Sequence, residues 1–414
     1  MRVAYVTMRF PVPSEAFAGT DVRVLRNAGV DVDVFTMRPK HRDHERLLQE
    51  RGLERLRVRT LTPAELLYGS AQMISRLHWL VVLVQWLLRW HLFRPYAFLR
   101  CLPLIPSAMA IASRIAKGNY DVVHLFWGHY PSMVGLLVQR FMPDVVSSMF
   151  LGAYDLDVGS RWLPGAAPVA RGADVVWTHS QSNLCRLRAL GISDKRLRCV
   201  YRGVDLRNFP PSDNTARADG LVVTIGSLTK RKGVDDAIRV ISRVRRSVPN
   251  IRLDVFGEGP EEPSLRALAS ALQVSDRVVF RGHTRSETIA AALRAASAFI
   301  LMSRSDRIPN VVKEAMASGC PCVVTDTQGM DELVVHGETG YRVPVGDIEA
   351  AAHYVTEALL NPDQQANILT AARNRVVQRF SADAAMAEYV REWSAARTTR
   401  PGILLGDDRT HRSP

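Results

Sequence analysis

Short apolar runs alternate along this chain with stretches long enough for amphipathic helices, the pattern of parallel strands buried on both faces and joined by crossover helices. Residues 3–7, a helical stretch and then 32–35 predict a strand, helix, strand opening. Runs at 121–125, 145–151, 175–178 and 197–201 extend the same sheet. The segment 208–220, NFPPSDNTARADG, concentrates turn-forming residues and reads as a linker. Beyond it the alternation restarts, with strands at 221–225, 251–256, 277–280, 298–302 and 322–325 and helices starting near 233, 261, 286 and 310. The expected fold class is α/β, with two Rossmann-like doubly wound domains at 1–207 and 221–380. A helix at about 382–396 carries Ala385, Met386, Tyr389, Val390 and Trp393, so it must pack on something, whereas 398–414 has nothing to bury and is expected to fray or be disordered.

Length agrees with two domains, since 414 residues exceed one ordinary core at about 150 residues per domain. An apolar share of 47% with 23% charged residues belongs to a folded globular chain. Charge is uneven. Residues 1–200 hold 26 basic and 15 acidic side chains, which is +11 of the total +13, so this half attracts something anionic: lipid headgroups, pyrophosphate or acidic glycan. Nucleic acid is not expected, because no zinc-finger spacing, basic heptad region or aromatic-basic RNA motif accompanies the charge. Five scattered cysteines with no signal peptide ahead of them read as reduced, cytoplasmic thiols. Cys320 and Cys322 flank Pro321 where two buried small residues outweigh a metal pair, and no metal is assigned.

Residues 77–93, LHWLVVLVQWLLRWHLF, admit two readings. Gln85, Arg89 and two histidines make the segment marginal for a membrane span. Trp79, Trp86 and Trp90, with Arg76, Arg89, Arg94 and Arg100 nearby, suit a helix lying in a bilayer interface, which would place the protein peripherally on the inner face of the cytoplasmic membrane. The alternative is a buried helix of a large α/β domain.

Candidate chemistry concentrates at 298–319. A strand ends in SRSDRIPN and a helix begins near Asn310, so a site forms at a strand's C-terminal end, where free N–H groups of Asn310, Val311 and Val312 favour phosphate oxygens. Asp306 lies in the loop and Glu314 about one turn into the helix, and two carboxylates so placed accept paired hydrogen bonds from sugar or ribose hydroxyls. At this spacing alone, a solvated loop acid and a helix-surface acid would explain them equally well.

The whole segment SRSDRIPNVVKEAMASGCPCVVTD resembles the donor-site signature of GT-B glycosyltransferase family 4, an acid followed after seven residues by Glu-Ala-Met-Ala-x-Gly. Glu314, Ala315, Met316, Ala317 and Gly319 match; the first acid is Asp306 instead of Glu, and Arg307 stands where the family commonly has Gly. TIGSLTKRKG continues the resemblance: Lys232 and Gly233 match a diphosphate-binding Lys-Gly, while Ser227 occupies the family's arginine position, with Lys230 or Arg231 as compensation. In VVFRGHT, Arg281, Gly282 and His283 match a corner that cradles the nucleotide base through backbone groups. VYRGVDLRNF resembles the family's interdomain segment with Arg202 in place of Asn, and FPVPSEAF resembles a phosphate-side loop through Ser14, Glu15 and Phe17, with Gly19 helping it approach the donor. Ile308 and Pro309 complete the donor-binding set. In FLGAYDLD, Gly152 takes the position of the family's catalytic-pocket histidine while Asp155 keeps its place, and His129 in FWGHYPS is a substitute candidate.

The resemblance implies a GT-B fold, two domains facing a cleft with a C-terminal helix, 381–397, returning to the N-terminal one. It implies a retaining glycosyltransferase that moves sugar from a nucleoside diphosphate sugar to a glycan or lipid-linked acceptor in bacterial polysaccharide assembly, without metal or other cofactor. Asp306 and Glu314, with Asp155 and His129, are the catalytic candidates. Gly152, Ser227 and Asp306 equally suit a nucleotide-sugar-binding scaffold, and a sugar-nucleotide epimerase would need acid-base residues that find no place here.

Overall fold

The computed structural model describes residues 1–156, 165–211, 217–306 and 308–399, with nothing to be said of the side chains of Ser14, Ala16, Ala153 and Tyr154. Arg307, most of the tail and the middle of the expected linker thus lie outside the described residues. The chain forms two compact units, one comprising Met1–Tyr201 with the chain from Ala385 onward, the other Arg202–Ala384.

The first unit is built on a seven-stranded parallel sheet of β1 (Arg2–Thr7), β2 (Asp31–Thr36), β3 (Arg57–Arg59), β4 (Val122–Phe126), β5 (Val146–Phe150), β6 (Val175–Thr178) and β7 (Leu197–Cys199), in the order β3-β2-β1-β4-β5-β6-β7. β4 and β5 are buried at every position, as strands of a sheet covered on both faces are; β4 is apolar but for His124, and β5 holds Ser147 and Ser148 among apolar residues. β3 was not foreseen: three residues with one apolar side chain give no periodic signal, and its pairing with β2 defines it. Four helices, Pro63–Ser75, Leu77–His91, Pro95–Cys101 and Ile105–Lys117, fill the connection from β3 to β4. The C-terminal helix Ala382–Thr398 completes this unit from Ala385 onward. Trp393 is fully buried and donates from Nε1 to Ser148 Oγ at 2.8 Å, Tyr389 stacks on Trp177 at 3.7 Å between ring centroids, and Arg198 meets Glu392 at 2.6 Å.

The second unit contains β8 (Leu221–Ile225), β9 (Arg252–Phe256), β10 (Val278–Gly282), β11 (Ala298–Leu301), β12 (Cys322–Thr325) and β13 (Tyr341–Val343), all parallel, in the order β10-β9-β8-β11-β12-β13. It begins six residues ahead of the expected linker, since Val204 bridges to Ser381 and the Phe209 carbonyl accepts from Arg373. Helix Val234–Val244 packs Ala237, Ile238, Ile241 and Val244 inward at helical spacing; each large aliphatic side chain so buried stabilises the unit by about 1.5–3 kcal/mol.

Both sheets change direction of growth at their first strand. In the first unit the order reverses between β1 and β4, and in the second between β8 and β11. At such a switch point the loops leaving two neighbouring strands turn to opposite faces and leave a crevice at the strand ends. Ser227, Lys232, Asp306 and the helix start at Asn310 lie at the second of these, while Arg281, Gly282 and His283 sit at the β10 edge and His129 and Asp155 follow β4 and β5.

Candidate active site

In the second unit the loop after β8 meets the loop after β11. Gly233 makes the approach possible: it takes φ +65°, and a Cβ there would stand 1.8 Å from the Met302 carbonyl oxygen. Arg304 fastens the two loops, reaching both carboxylate oxygens of Asp235 at 2.9 and 2.8 Å and Asp236 at 2.7 Å, while its own N–H donates to the Arg231 carbonyl at 2.8 Å. Across this junction Lys232 Nζ lies 2.6 Å from Asp306 Oδ2, both side chains largely buried, and Arg231 contacts Asp306 Oδ1 at 2.5 Å. Thr327 Oγ1 donates to the Asp306 carbonyl at 2.6 Å and fixes the loop from the β12 side. The structure thus brings Lys232 and Asp306 together, and Arg231 joins them; Ser227 is exposed at the end of β8 without replacing a guanidinium.

Beyond Asp306 the backbone is strained. Ile308 has φ +48°, a left-handed conformation that a β-branched side chain seldom takes, and such a conformation costs about 1–3 kcal/mol and collects at functional sites. Pro309 then leads into helix Asn310–Ala317, which has no side-chain cap. The backbone N–H groups of Asn310, Val311 and Val312 belong to the first turn, whose N–H groups find no partner inside the helix. Their partial positive charge, beside Lys232, suits an anion. The Asn310 side chain is otherwise employed: its Oδ1 and the Arg202 carbonyl accept from the buried Lys313 ammonium at 3.0 and 2.7 Å. Glu314 is half-buried and, among the described residues, has no hydrogen-bond or ion-pair partner. Burial pushes its carboxyl up to about 7, against a smaller opposing pull from the Lys313 charge. Asp306 and Glu314 therefore differ, the first held by two cations and the second left with its acceptor capacity for something else.

The β10 corner is held to its neighbour. Gly282, at φ +66°, accepts through its carbonyl from Gly257 N–H at 2.9 Å, and the His283 N–H donates to Glu258 at 3.2 Å. Arg281 pairs with the buried Asp254 at 2.9 Å. The backbone contact implied for His283 is thus used internally, and the corner presents the exposed His283 side chain instead.

In the first unit, Asp155 joins the loops that leave β4 and β5. Its fully buried carboxylate accepts from Gly128 N–H and Gly152 N–H, both at 2.9 Å, and lies 2.6 Å from His129 Nδ1. Both its oxygens accept from protein donors, so Asp155 positions His129 and the loops after β4 and β5. Gly152 stands where the resemblance places a histidine, and a Cβ there would lie 2.6 Å from the Trp127 ring. Trp127, at φ +77°, fills that space and donates from Nε1 to Glu15 at 3.0 Å. Gly19 lies buried inside helix Ala16–Asn27, where a Cβ would meet Arg51 Cδ at 2.9 Å, so its small size admits the Arg51 side chain.

Sequence reasoning missed Arg304, Thr327, Lys313 and Trp127. Arg304 sits within SRSDR and is an ordinary surface arginine until folding sets Asp235 and Asp236 opposite it; no spacing signal announces the other three.

Two doubly wound parallel-sheet units define the class, and the fold is that of GT-B glycosyltransferases. A structure of HepE from Anabaena in complex with UDP matches at a TM-score of 0.73 over 95% of this chain and 100% of that one, with 16% identity. The family described as Glycosyl transferases group 1 matches residues 208–375, and Glycosyltransferase Family 4 matches residues 22–208. A protein of Salmonella typhimurium bearing the name "Putative colanic acid biosynthesis glycosyltransferase WcaL" is 25% identical over 93% of this chain and 97% of its own length. A GDP-mannose-dependent alpha-(1-6)-phosphatidylinositol monomannoside mannosyltransferase of Mycolicibacterium smegmatis is 30% identical, covering 64% of this chain and 75% of that one. The chain belongs to the family 4, group 1 glycosyl transferases and is a glycosyltransferase.

Proposed function

We propose that this protein transfers a sugar, with retention of configuration, from a nucleoside diphosphate sugar to a glycan acceptor carried on a lipid, during bacterial polysaccharide assembly at the cytoplasmic face of an anionic membrane. The observation that carries the donor half is the junction of β8 and β11, where Lys232 is held against Asp306 four residues ahead of the uncapped start of helix Asn310–Ala317, the helix that carries the unpartnered Glu314. Lys232 spends one of three N–H donors on Asp306, which leaves two for a diphosphate. Phosphate oxygens suit the helix start, and sugar hydroxyls suit Glu314. WcaL supports a polysaccharide product, and the mannosyltransferase named above supports a lipid-linked acceptor.

In the proposed reaction the acceptor hydroxyl oxygen bonds to the anomeric carbon on the face the diphosphate leaves. The bond from that carbon to the diphosphate oxygen breaks, and the departing diphosphate takes the acceptor's proton. Negative charge grows on the diphosphate as the bond lengthens, so Lys232 and the helix N–H groups act more strongly in the transition state than before it. No protein base is required, and the chemistry is consistent with Gly152 at the position of the family histidine. A thermal-shift panel of nucleoside diphosphates and their sugar conjugates tests the donor half, because a ligand of the native state raises the melting temperature. One conjugate is expected to stabilise the protein selectively; no shift in folded protein with any of them contradicts the proposal.

A further inference from the structure

Twelve of the fifteen large hydrophobic side chains exposed among the described residues fall between Leu66 and Leu102 in the first unit. Helix Leu77–His91 shows the cause. Trp79, Leu83, Trp86 and Leu87 are buried on one side, while Leu77, Val81, Val84 and Leu88 are exposed. The exposed four recur at intervals of four, three and four, so they form one stripe along the helix. A surface helix normally turns charge outward; this one exposes the apolar stripe beside only three polar side chains, His78, Gln85 and Arg89. One face of the helix thus meets the reading of a buried core helix, and the other leaves apolar side chains uncovered. Phe93, 94% exposed, follows directly, and the helices on either side, Pro63–Ser75 and Pro95–Cys101, touch Leu77–His91 and add exposed apolar residues of their own.

Charge indicates what covers this face. No Asp or Glu occurs from Leu66 to Tyr120, a stretch that holds Arg76, Arg89, Arg94, Arg100, Arg114 and Lys117. Among the described residues, only Arg114 of these has a carboxylate partner, Glu65 at 2.9 Å. Arg76 and Arg100 lie over the rings of Trp79 and Tyr96, at 4.2 and 4.1 Å, with apolar stems against the surface, and Arg89 and Arg94 are exposed. Exposed aliphatic side chains rimmed by arginine and aromatic rings, with no acid to oppose them, match the boundary between anionic headgroups and acyl chains.

We propose that this face docks on an anionic lipid bilayer with helix Leu77–His91 lying in the membrane plane. The geometry does not suit spanning: Pro63–Ser75 and Leu77–His91 are bent by 97° at their junction, and Ile105–Lys117, part of the apolar stretch Pro95–Lys117, is built into the core of the unit. A second copy of the chain fits less well, because a symmetric contact sets the same uncompensated arginines against each other. The inference rests on the reading that the acceptor is met at a membrane, and names the surface that meets it.

The test is co-sedimentation of the full chain with vesicles of phosphatidylcholine alone or mixed with phosphatidylglycerol, at low and high salt. The wild-type protein is expected to bind the mixed vesicles and to be released by salt. Val84→Glu combined with Leu88→Glu, and separately Arg89→Glu combined with Arg94→Glu, are expected to weaken binding about tenfold or more, while thermal unfolding and nucleoside diphosphate binding stay as in wild type. Equal binding by the variants, or binding to neither vesicle, overturns the proposal. So does lipid-free self-association that the same substitutions abolish, which would assign the face to a second copy. Vesicle binding without any nucleoside diphosphate binding would overturn the transfer reading and leave the docking surface standing.

Discussion

Glu314 is the residue whose chemistry is easiest to isolate. Its carboxyl sits at about 7 because burial disfavours the charged form. A raised acid pKa means the native state holds the proton longer than the unfolded chain, so this group lowers stability as pH rises from its ordinary value, near 4.5, through about 7. Glu314→Gln is therefore expected to gain stability relative to wild type at pH 8 and not at pH 4, as read by chemical denaturation. The same titration governs binding, since the carboxylate is the stronger acceptor for ligand hydroxyls. Donor affinity should rise from pH 6 to pH 8 in wild type and stay flat in Glu314→Gln. Losing the charge-assisted bonds should weaken it by about 1.5–3 kcal/mol. Unchanged affinity in the variant removes Glu314 from the site. At this scale Glu314 and Lys232 were legible, because a motif fixes them in sequence. Trp127 and Arg304 were not, because their roles arise only when Gly152 lacks a side chain and when Asp235 and Asp236 come within reach.

At the scale of elements, the loops after the strands bear the function and need bracing. Asp155 is the brace of the first unit. Asp155→Ala strands the N–H groups of Gly128 and Gly152 without acceptors, and leaving buried donors unsatisfied costs about 1–3 kcal/mol each. A loss of about 2–6 kcal/mol in denaturant unfolding is expected, whereas His129→Gln, which keeps an N–H donor for Asp155 at a partly exposed position, should change stability by less than about 1 kcal/mol. A small loss for Asp155→Ala would show that the loops hold without it. If His129→Gln keeps its stability and loses kcat, the ring acts on substrate; if both are kept, it only closes the corner. Strands buried on both faces, such as β4, β8 and β12, could be read from their apolar runs. β3 and β13 could not, because three residues flanked by polar sequence owe their conformation to a neighbouring strand and not to their own pattern.

At the scale of the molecule, two sheets show the same reversal of strand order, with Lys232, Asp306 and His129 in the loops beyond the C-terminal ends of parallel strands, and this architecture followed from the alternation along the chain. The unit boundaries depend on long-range pairing instead: Val204 with Ser381 draws the chain ahead of 208 into the second unit, and Trp393 on Ser148 returns the last helix to the first. The two faces of Leu77–His91 also emerged only in three dimensions, since hydropathy is the same for a core and for a membrane surface. The central claim is that the β8 and β11 junction holds a donor whose diphosphate leaves with its charge on Lys232. The direct measurement is nucleoside diphosphate release from the donor that stabilises the protein, with and without lipid-linked acceptor, in wild type and Lys232→Ala. The account predicts release that requires the acceptor and falls about a hundredfold or more in the variant; a variant as fast as wild type, or a wild-type protein that binds the donor and never transfers, would contradict it.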